Sequence, residues 1–145
     1  MKIAIASDHA GFELKEAVKQ YLLAKDVLVT DLGTNSLASV DYPDYGKKIG
    51  EAVVKQSYDF GIAICGTGIG ISIAANKVHG VRAALIYDEN TAILAKKHNN
   101  ANIIAFGGRT TTKEQAFHMI DAFMSTEFEV RHLNRINKIK EIEES

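Results

Sequence analysis

Five short apolar runs, alternating with segments of helical period, set the architectures open to this chain. The runs are KIAIAS (2–7), VLVTDL (27–32), FGIAIC (60–65), RAALIY (82–87) and NIIAFG (102–107). They are rich in Ile, Val and Ala and apolar on both faces, as strands buried within a parallel sheet are. Between them lie FELKEAVKQYLLAK (12–25), DYGKKIGEAVVKQS (44–57), GISIAANKV (70–78) and ENTAILAKKH (89–98), and TKEQAFHMIDAFMS (112–125) follows the fifth run. In the first of these, Leu14, Val18, Tyr21 and Leu22 share one helical face. The alternation predicts an α/β, doubly wound (Rossmann-like) fold: a five-stranded parallel sheet with helices on both faces. The single proline, Pro43, ends the longest loop and starts a helix with Asp44 in its first turn.

A chain of 145 residues with no linker-like stretch, repeat or low-complexity tract reads as one domain, 1–145. Its 17 basic and 18 acidic residues leave a net charge of -1, which gives no support to nucleic acid or an anionic membrane as the main partner. No run approaches the roughly 18 apolar residues of a membrane span, and the first run is too short for a signal peptide. One cysteine makes no internal disulfide, so the expected location is a reducing cytoplasm. The tail EVRHLNRINKIKEIEES carries Leu133, Ile136, Ile139 and Ile142 at every third position of a charged helix. So narrow a stripe makes no core alone; it packs on its own domain or reaches another subunit.

In an open parallel sheet, ligands bind beyond the carboxyl ends of the strands. That edge should gather Ser7, Asp8 and His9 after the first run, and Cys65 with its glycine loop after the third. It should also hold Asp88 after the fourth, and Gly107, Gly108 and Arg109 after the fifth. The loop, CGTGIGIS, invites comparison with the dinucleotide fingerprint G-x-G-x-x-G. Gly66 and Gly68 fit, and Asp88 lies at a suitable distance, but the third glycine comes one place early and Ile71 stands where it is required. The loop also follows the third strand, not the first. A phosphate P-loop is excluded because no Gly-Lys-Ser/Thr follows. What the loop supplies is converging backbone N–H groups at a helix start, suited to a developing oxyanion or a phosphate. The same helix terminus would favour the thiolate of Cys65, and Thr67 adds a hydroxyl.

Each candidate also has an ordinary structural reading. Cys65 can be a small buried hydrophobe, Asp8 a helix cap and His9 a loop residue. His98 closes a helix, where a cation is mildly stabilising. Tyr42 can simply pack beside Pro43, and Arg131 and Arg135, at i and i+4, can be solvated charge.

Taken together the motifs SDHAG (7–11), DYPDY (41–45), CGTGIGISIAANK (65–77), VRAAL (81–85), HNNAN (98–102), FGGR (106–109) and RHLNR (131–135) resemble the B-type ribose-5-phosphate isomerases. These belong to the sugar-phosphate isomerase family that includes the galactose-6-phosphate isomerase subunits. The resemblance covers nearly the whole chain. It implies interconversion of ribose 5-phosphate and ribulose 5-phosphate through an enediolate, with neither metal nor organic cofactor. Cys65 would then be the base that moves the proton between C1 and C2, and Thr67 would assist proton transfer at oxygen. His98 would open the furanose ring, and Gly66, Gly68, Ile69 and Gly70 would hold the enediolate oxygens. Asp8 would meet sugar hydroxyls, Asn99 would lie near the enediolate, and Tyr42 would line the pocket. His9, Arg109, Arg131 and Arg135 would take the phosphate, which sequence physics alone had put on the glycine loop. The resemblance further implies a homodimer or homotetramer whose sites are shared between chains. Two other readings stay open: an isomerase of a six-carbon sugar phosphate (allose 6-phosphate or galactose 6-phosphate) and, from a different class, a nucleotide-binding module.

Overall fold

A computed structural model describes residues 1–145. Strands β1 (Lys2–Ser7), β2 (Leu28–Asp31), β3 (Phe60–Cys65), β4 (Ala83–Leu85) and β5 (Ile103–Gly107) alternate with α1 (Phe12–Leu23), α2 (Tyr42–Lys55), α3 (Ile69–Ala75) and α4 (Glu89–Lys97). After β5 come α5 (Lys113–Met124) and α6 (Leu133–Glu144), and short 3-10 turns cover His9–Gly11 and Val130–His132. All pairings in the sheet are parallel, in the order β2-β1-β3-β5-β4. The chain leaves β1 toward β2 on one side and returns to β3 on the other, so the strand order reverses between β1 and β3. A crevice opens there beyond the carboxyl ends.

Every strand expected from the sequence is present, the fourth shortened to three residues. The helical stretch 70–78 is confined to Ile69–Ala75, whose C-cap Asn76 turns its side chain to the backbone of Ala83. Pro43 lies in the first turn of α2, one residue inside its start. Of the tail stripe only Ile136 is buried; Leu133, Ile139 and Ile142 are exposed.

The strands are apolar on both faces, but the two faces differ in size. Ile3, Ile5, Phe60, Ile62, Ile64, Ile104 and Phe106 point to the layer formed by α1, α4 and α5, meeting Val18, Leu22, Ile120 and Phe123. Ala4, Ala6, Ala63, Cys65 and Ala105, with Ile103, point to α2 and α3. Gly61 belongs with the small set: a Cβ there would sit 2.9 Å from Val53 Cγ2 and 3.1 Å from Ile49 Cδ1. Small sheet residues let α2 settle low on this face. Its own glycines then let α3 come close, since a Cβ on Gly46 would lie 2.8 Å from that of Ala74.

One charged residue is fully buried. Lys15, 1% exposed, reaches from α1 to Asp31 at the end of β2, 2.5 Å away, and to Glu16 at 3.0 Å. Burial works against ionisation of Asp31, yet hydrogen bonds from Lys15, Lys19 and the Gly33 N–H hold its carboxyl below the ordinary value. This pair fixes the start of the loop that runs from β2 toward the crevice.

The size division has a test. Gly61→Val, which overfills the space under Ile49 and Val53, should lose roughly 1–3 kcal/mol. The loss should appear as a lower urea midpoint at unchanged slope. A wild-type midpoint would mean that α2 does not rest on the sheet through Gly61.

Candidate active site

At the carboxyl edge, β3 ends in Cys65, 4% exposed, whose Sγ accepts a hydrogen bond from the Gly68 N–H at 3.2 Å. The turn that brings this amide back to the sulfur needs glycine twice over. Gly68 has φ +81°, and a Cβ there would lie 2.7 Å from the Phe106 backbone. Thr67 is exposed, its Oγ1 accepting from the Ile69 N–H at 3.2 Å, and Ile69 is itself half-exposed. The first amides of α3 follow, without intrahelical partners. Gly70 leaves room for Tyr42, whose ring would lie 2.5 Å from a Cβ at that position. From behind, β5 pins the loop. The Gly108 N–H donates to the Cys65 carbonyl at 2.7 Å and the Arg109 N–H to that of Gly66 at 3.0 Å. The Arg109 guanidinium lies along Gly66, Nη1 being 3.4 Å from where a Cβ would stand.

The loop after β1 completes this edge. Asp8, buried, accepts the Gly11 N–H at 3.1 Å and so caps the 3-10 turn that leads into α1. His9 accepts the Val40 N–H on Nδ1 at 3.1 Å, so its neutral ring carries the proton on Nε2 as a donor. The loop beginning at Asp31 therefore sets the His9 tautomer through Val40 and delivers Tyr42. Asp88, also expected at this edge, is engaged in a capping box with Thr91.

His98, Asn99, Arg131 and Arg135 are elsewhere. Helices α4 and α5 start at the carboxyl edge and run back, so His98, the C-cap of α4, lies near the amino ends of the strands. The segment after α5 is fastened beside it: the Glu129 N–H donates to the Lys97 carbonyl at 3.0 Å, and the Glu129 carboxylate pairs with Lys97 and Arg131. Arg131 and Arg135 are exposed on either side of His132. The His132 ring packs on that of His98, centroids 4.3 Å apart and planes tilted by 33°. Burial, with the charges of Arg131, His98 and Arg135, pushes the His132 imidazole below its ordinary pKa, against a smaller opposite pull from Glu129. Sequence reading passed over His132; its only signal was its place between the two arginines of RHLNR.

The expected residues thus form two groups. Asp8, His9, Tyr42, Cys65, Gly66, Thr67, Gly68, Ile69, Gly70 and Arg109 gather at the carboxyl edge, while His98, Asn99, Arg131 and Arg135 gather at the other. A strand of this length separates the edges by roughly 17–20 Å. One group offers a thiol, loop amides, a carboxylate, an imidazole N–H and a guanidinium. The other offers an imidazole between two guanidinium groups. No cluster of three or more His, Cys, Asp or Glu side chains is arranged to hold a metal, and no helix is long and apolar enough to cross a membrane.

Known proteins share this fold and much of this sequence. A solved ribose 5-phosphate isomerase of Thermotoga maritima is 56% identical, with a TM-score of 0.94 over 97% of each chain. Ribose-5-phosphate isomerase B of Clostridium thermocellum is 47% identical, with a TM-score of 0.97 over 99% of this chain and 98% of that one. Ribose-5-phosphate isomerase B of Mycoplasma genitalium, solved with bound ribulose 5-phosphate, is 41% identical, with a TM-score of 0.93 over 99% and 97%. The family model described as Ribose/Galactose Isomerase matches residues 3–139, and with a fold and identity of this order across nearly its whole length, the chain belongs to that family.

Proposed function

We propose that this chain, as one domain over 1–145, interconverts ribose 5-phosphate and ribulose 5-phosphate. The observation that carries the proposal is the Cys65 sulfur, fixed by the Gly68 amide at the mouth of a loop whose helix-start amides face the same crevice. A proton α to a carbonyl comes off only where charge growing on oxygen is stabilised, and this loop sets base and N–H donors side by side.

In the first step His98 gives a proton to the ring oxygen as the C1–O4 bond breaks; the C1 hydroxyl passes its proton to solvent, which returns one to His98, and becomes the aldehyde. The Cys65 thiolate then takes the proton from C2, and the electron pair moves through C1–C2 onto O1, giving the enediolate. Amides of the Gly66–Gly70 loop hold its oxygens, and Thr67 moves the proton between O1 and O2. Return of the proton to C1 yields the ketose. Asp8 takes sugar hydroxyls, Asn99 lies near the enediolate and Tyr42 lines the pocket. The phosphate is held by His9, through Nε2–H, and by Arg109, Arg131 and Arg135. The lone unpaired Cys65 suits a reducing cytoplasm.

Because the two groups sit on opposite edges, this chemistry requires two copies, one giving its carboxyl edge and the other His98, Asn99, Arg131 and Arg135. A closed homodimer, or a tetramer of two such pairs, satisfies that need symmetrically. The exposed Leu133, Ile139 and Ile142 of α6 supply apolar surface for contacts between copies.

Two measurements test these statements. Cys65→Ala should lose at least about 10³-fold in turnover of ribose 5-phosphate while folding and binding persist, and full activity would remove the base. Cys65→Ala and His98→Asn chains, each inactive alone, should regain about a quarter of wild-type activity when co-refolded in equal amounts. Half of the random dimers then pair the two variants, and each of these has one intact site of two. Absence of complementation would place the whole site within one chain.

A further inference from the structure

We propose that His132 is a positioning residue, holding the His98 imidazole in the orientation that ring opening needs; this rests on the role given to His98 above. The two rings face one another at 4.3 Å, tilted by 33°. His132 is more than nine-tenths buried, and its Nε2 is shut away with no hydrogen-bond partner. Leaving a buried polar atom unpaired costs free energy, and an apolar side chain would fill the space without that cost. The ring is therefore not explained by an internal hydrogen bond, and the one aromatic face it meets is that of His98. Its segment is tied to the end of α4: the His132 N–H donates to the Glu129 carbonyl at 3.0 Å, and the Glu129 N–H donates to the Lys97 carbonyl, one residue before His98.

The stack has work to do because His98 needs it. As the residue that ends α4, His98 is half-exposed and has no side-chain hydrogen bond to fix its ring. An acid that must deliver a proton to one ether oxygen loses rate steeply when its ring is free to turn. The neighbour must also stay uncharged, because His98 passes between imidazole and imidazolium beside Arg131 and Arg135. A second cation at 4.3 Å would oppose that cycle. Burial and the charges of Arg131, His98 and Arg135, against a smaller pull from Glu129, push the His132 imidazole below its ordinary pKa, which favours the neutral ring that the stack requires.

The test separates ring opening from the proton transfer at carbon. Ribulose 5-phosphate has its O5 esterified and forms no furanose, so exchange of its C1 hydrogen with D2O uses Cys65 without ring chemistry. In His132→Ala, turnover of ribose 5-phosphate should fall about tenfold or more, while this exchange stays within about twofold of wild type. His132→Phe, which restores a neutral ring face, should recover turnover to within about threefold. The ¹³C-resolved ring resonances of His98 should move to unstacked positions in His132→Ala and stay shifted in His132→Phe. Unchanged turnover in His132→Ala, a parallel fall in exchange, an equal deficit in His132→Phe, or unmoved His98 resonances would each overturn the proposal. A wild-type protein with neither turnover nor exchange would overturn the isomerase reading instead, and the His98 resonances would still decide whether His132 positions it.

Discussion

In a parallel sheet every strand ends on the same edge, so each crossover helix must carry the chain back to the opposite edge before the next strand begins. The candidate site residues of this protein are sorted by that rule. Loops that follow β1, β3 and β5 converge at the carboxyl edge, bringing together a carboxylate, a thiol and a guanidinium from positions 8, 65 and 109. Residues that end a helix are delivered to the far edge, as His98 is by α4. The core fixes the gap, because Ile3, Ile62 and Ile104 lie fully buried in the strands between the edges. No local adjustment folds one half-site onto the other. Under the proposed activity, assembly is therefore a consequence of the topology: a site needing both edges needs two molecules.

The same sheet determines how closely the crevice can be built. A face of Ala4, Ala6, Gly61, Ala63 and Cys65 is shallow enough for α2 and α3 to lie against it and against each other. That low seat carries the start of α2, and with it Tyr42, over Gly70. On the opposite face, the large side chains Ile5, Ile62, Ile64 and Phe106 make a thicker core under α1, α4 and α5. Cys65 is thus both the last small residue of a packed face and the first residue of the loop. Its structural and chemical readings are not rivals, since burial at a strand end is what holds the sulfur still.

Sequence alone reached the fold class and all five strands, and it named the residues that the structure gathers at the two edges of the sheet. Parallel strands and amphipathic helices have strong local signatures, and the edge rule converts them into a list of loops. The failures are physical as well. Apolar periodicity treats Ala and Ile alike, so the size difference between the two faces was invisible. Lys15 counted as a charged position, yet it is buried because Asp31, sixteen residues later, meets its ammonium group; a pairing of that kind has no local pattern. His132 stood in a quoted motif without a role, because nothing in RHLNR says that α5 returns the segment to the end of α4. The tail stripe left open whether it packs on its own domain or on another subunit; within the chain it buries only Ile136, since one apolar residue per turn of a charged helix covers little of its own domain.

The glycine loop shows why a near match to a dinucleotide fingerprint belongs to different chemistry. In that fingerprint the third glycine lets helix and strand pack closely around a pyrophosphate. Here Gly70 comes one place early, and the room it leaves is filled by the Tyr42 ring from α2. The middle glycine, Gly68, turns its amide back onto the Cys65 sulfur. One loop amide thus serves a side chain that a phosphate loop does not need. Helix α3 is also only seven residues long, a weak dipole to set against a pyrophosphate. What remains is a loop with a thiol, helix-start amides and the Tyr42 ring beside Gly70. Under the proposed activity the loop would serve the two oxygens of an enediolate, and the phosphate would fall to guanidinium groups outside it, at Arg109 and on the opposite edge.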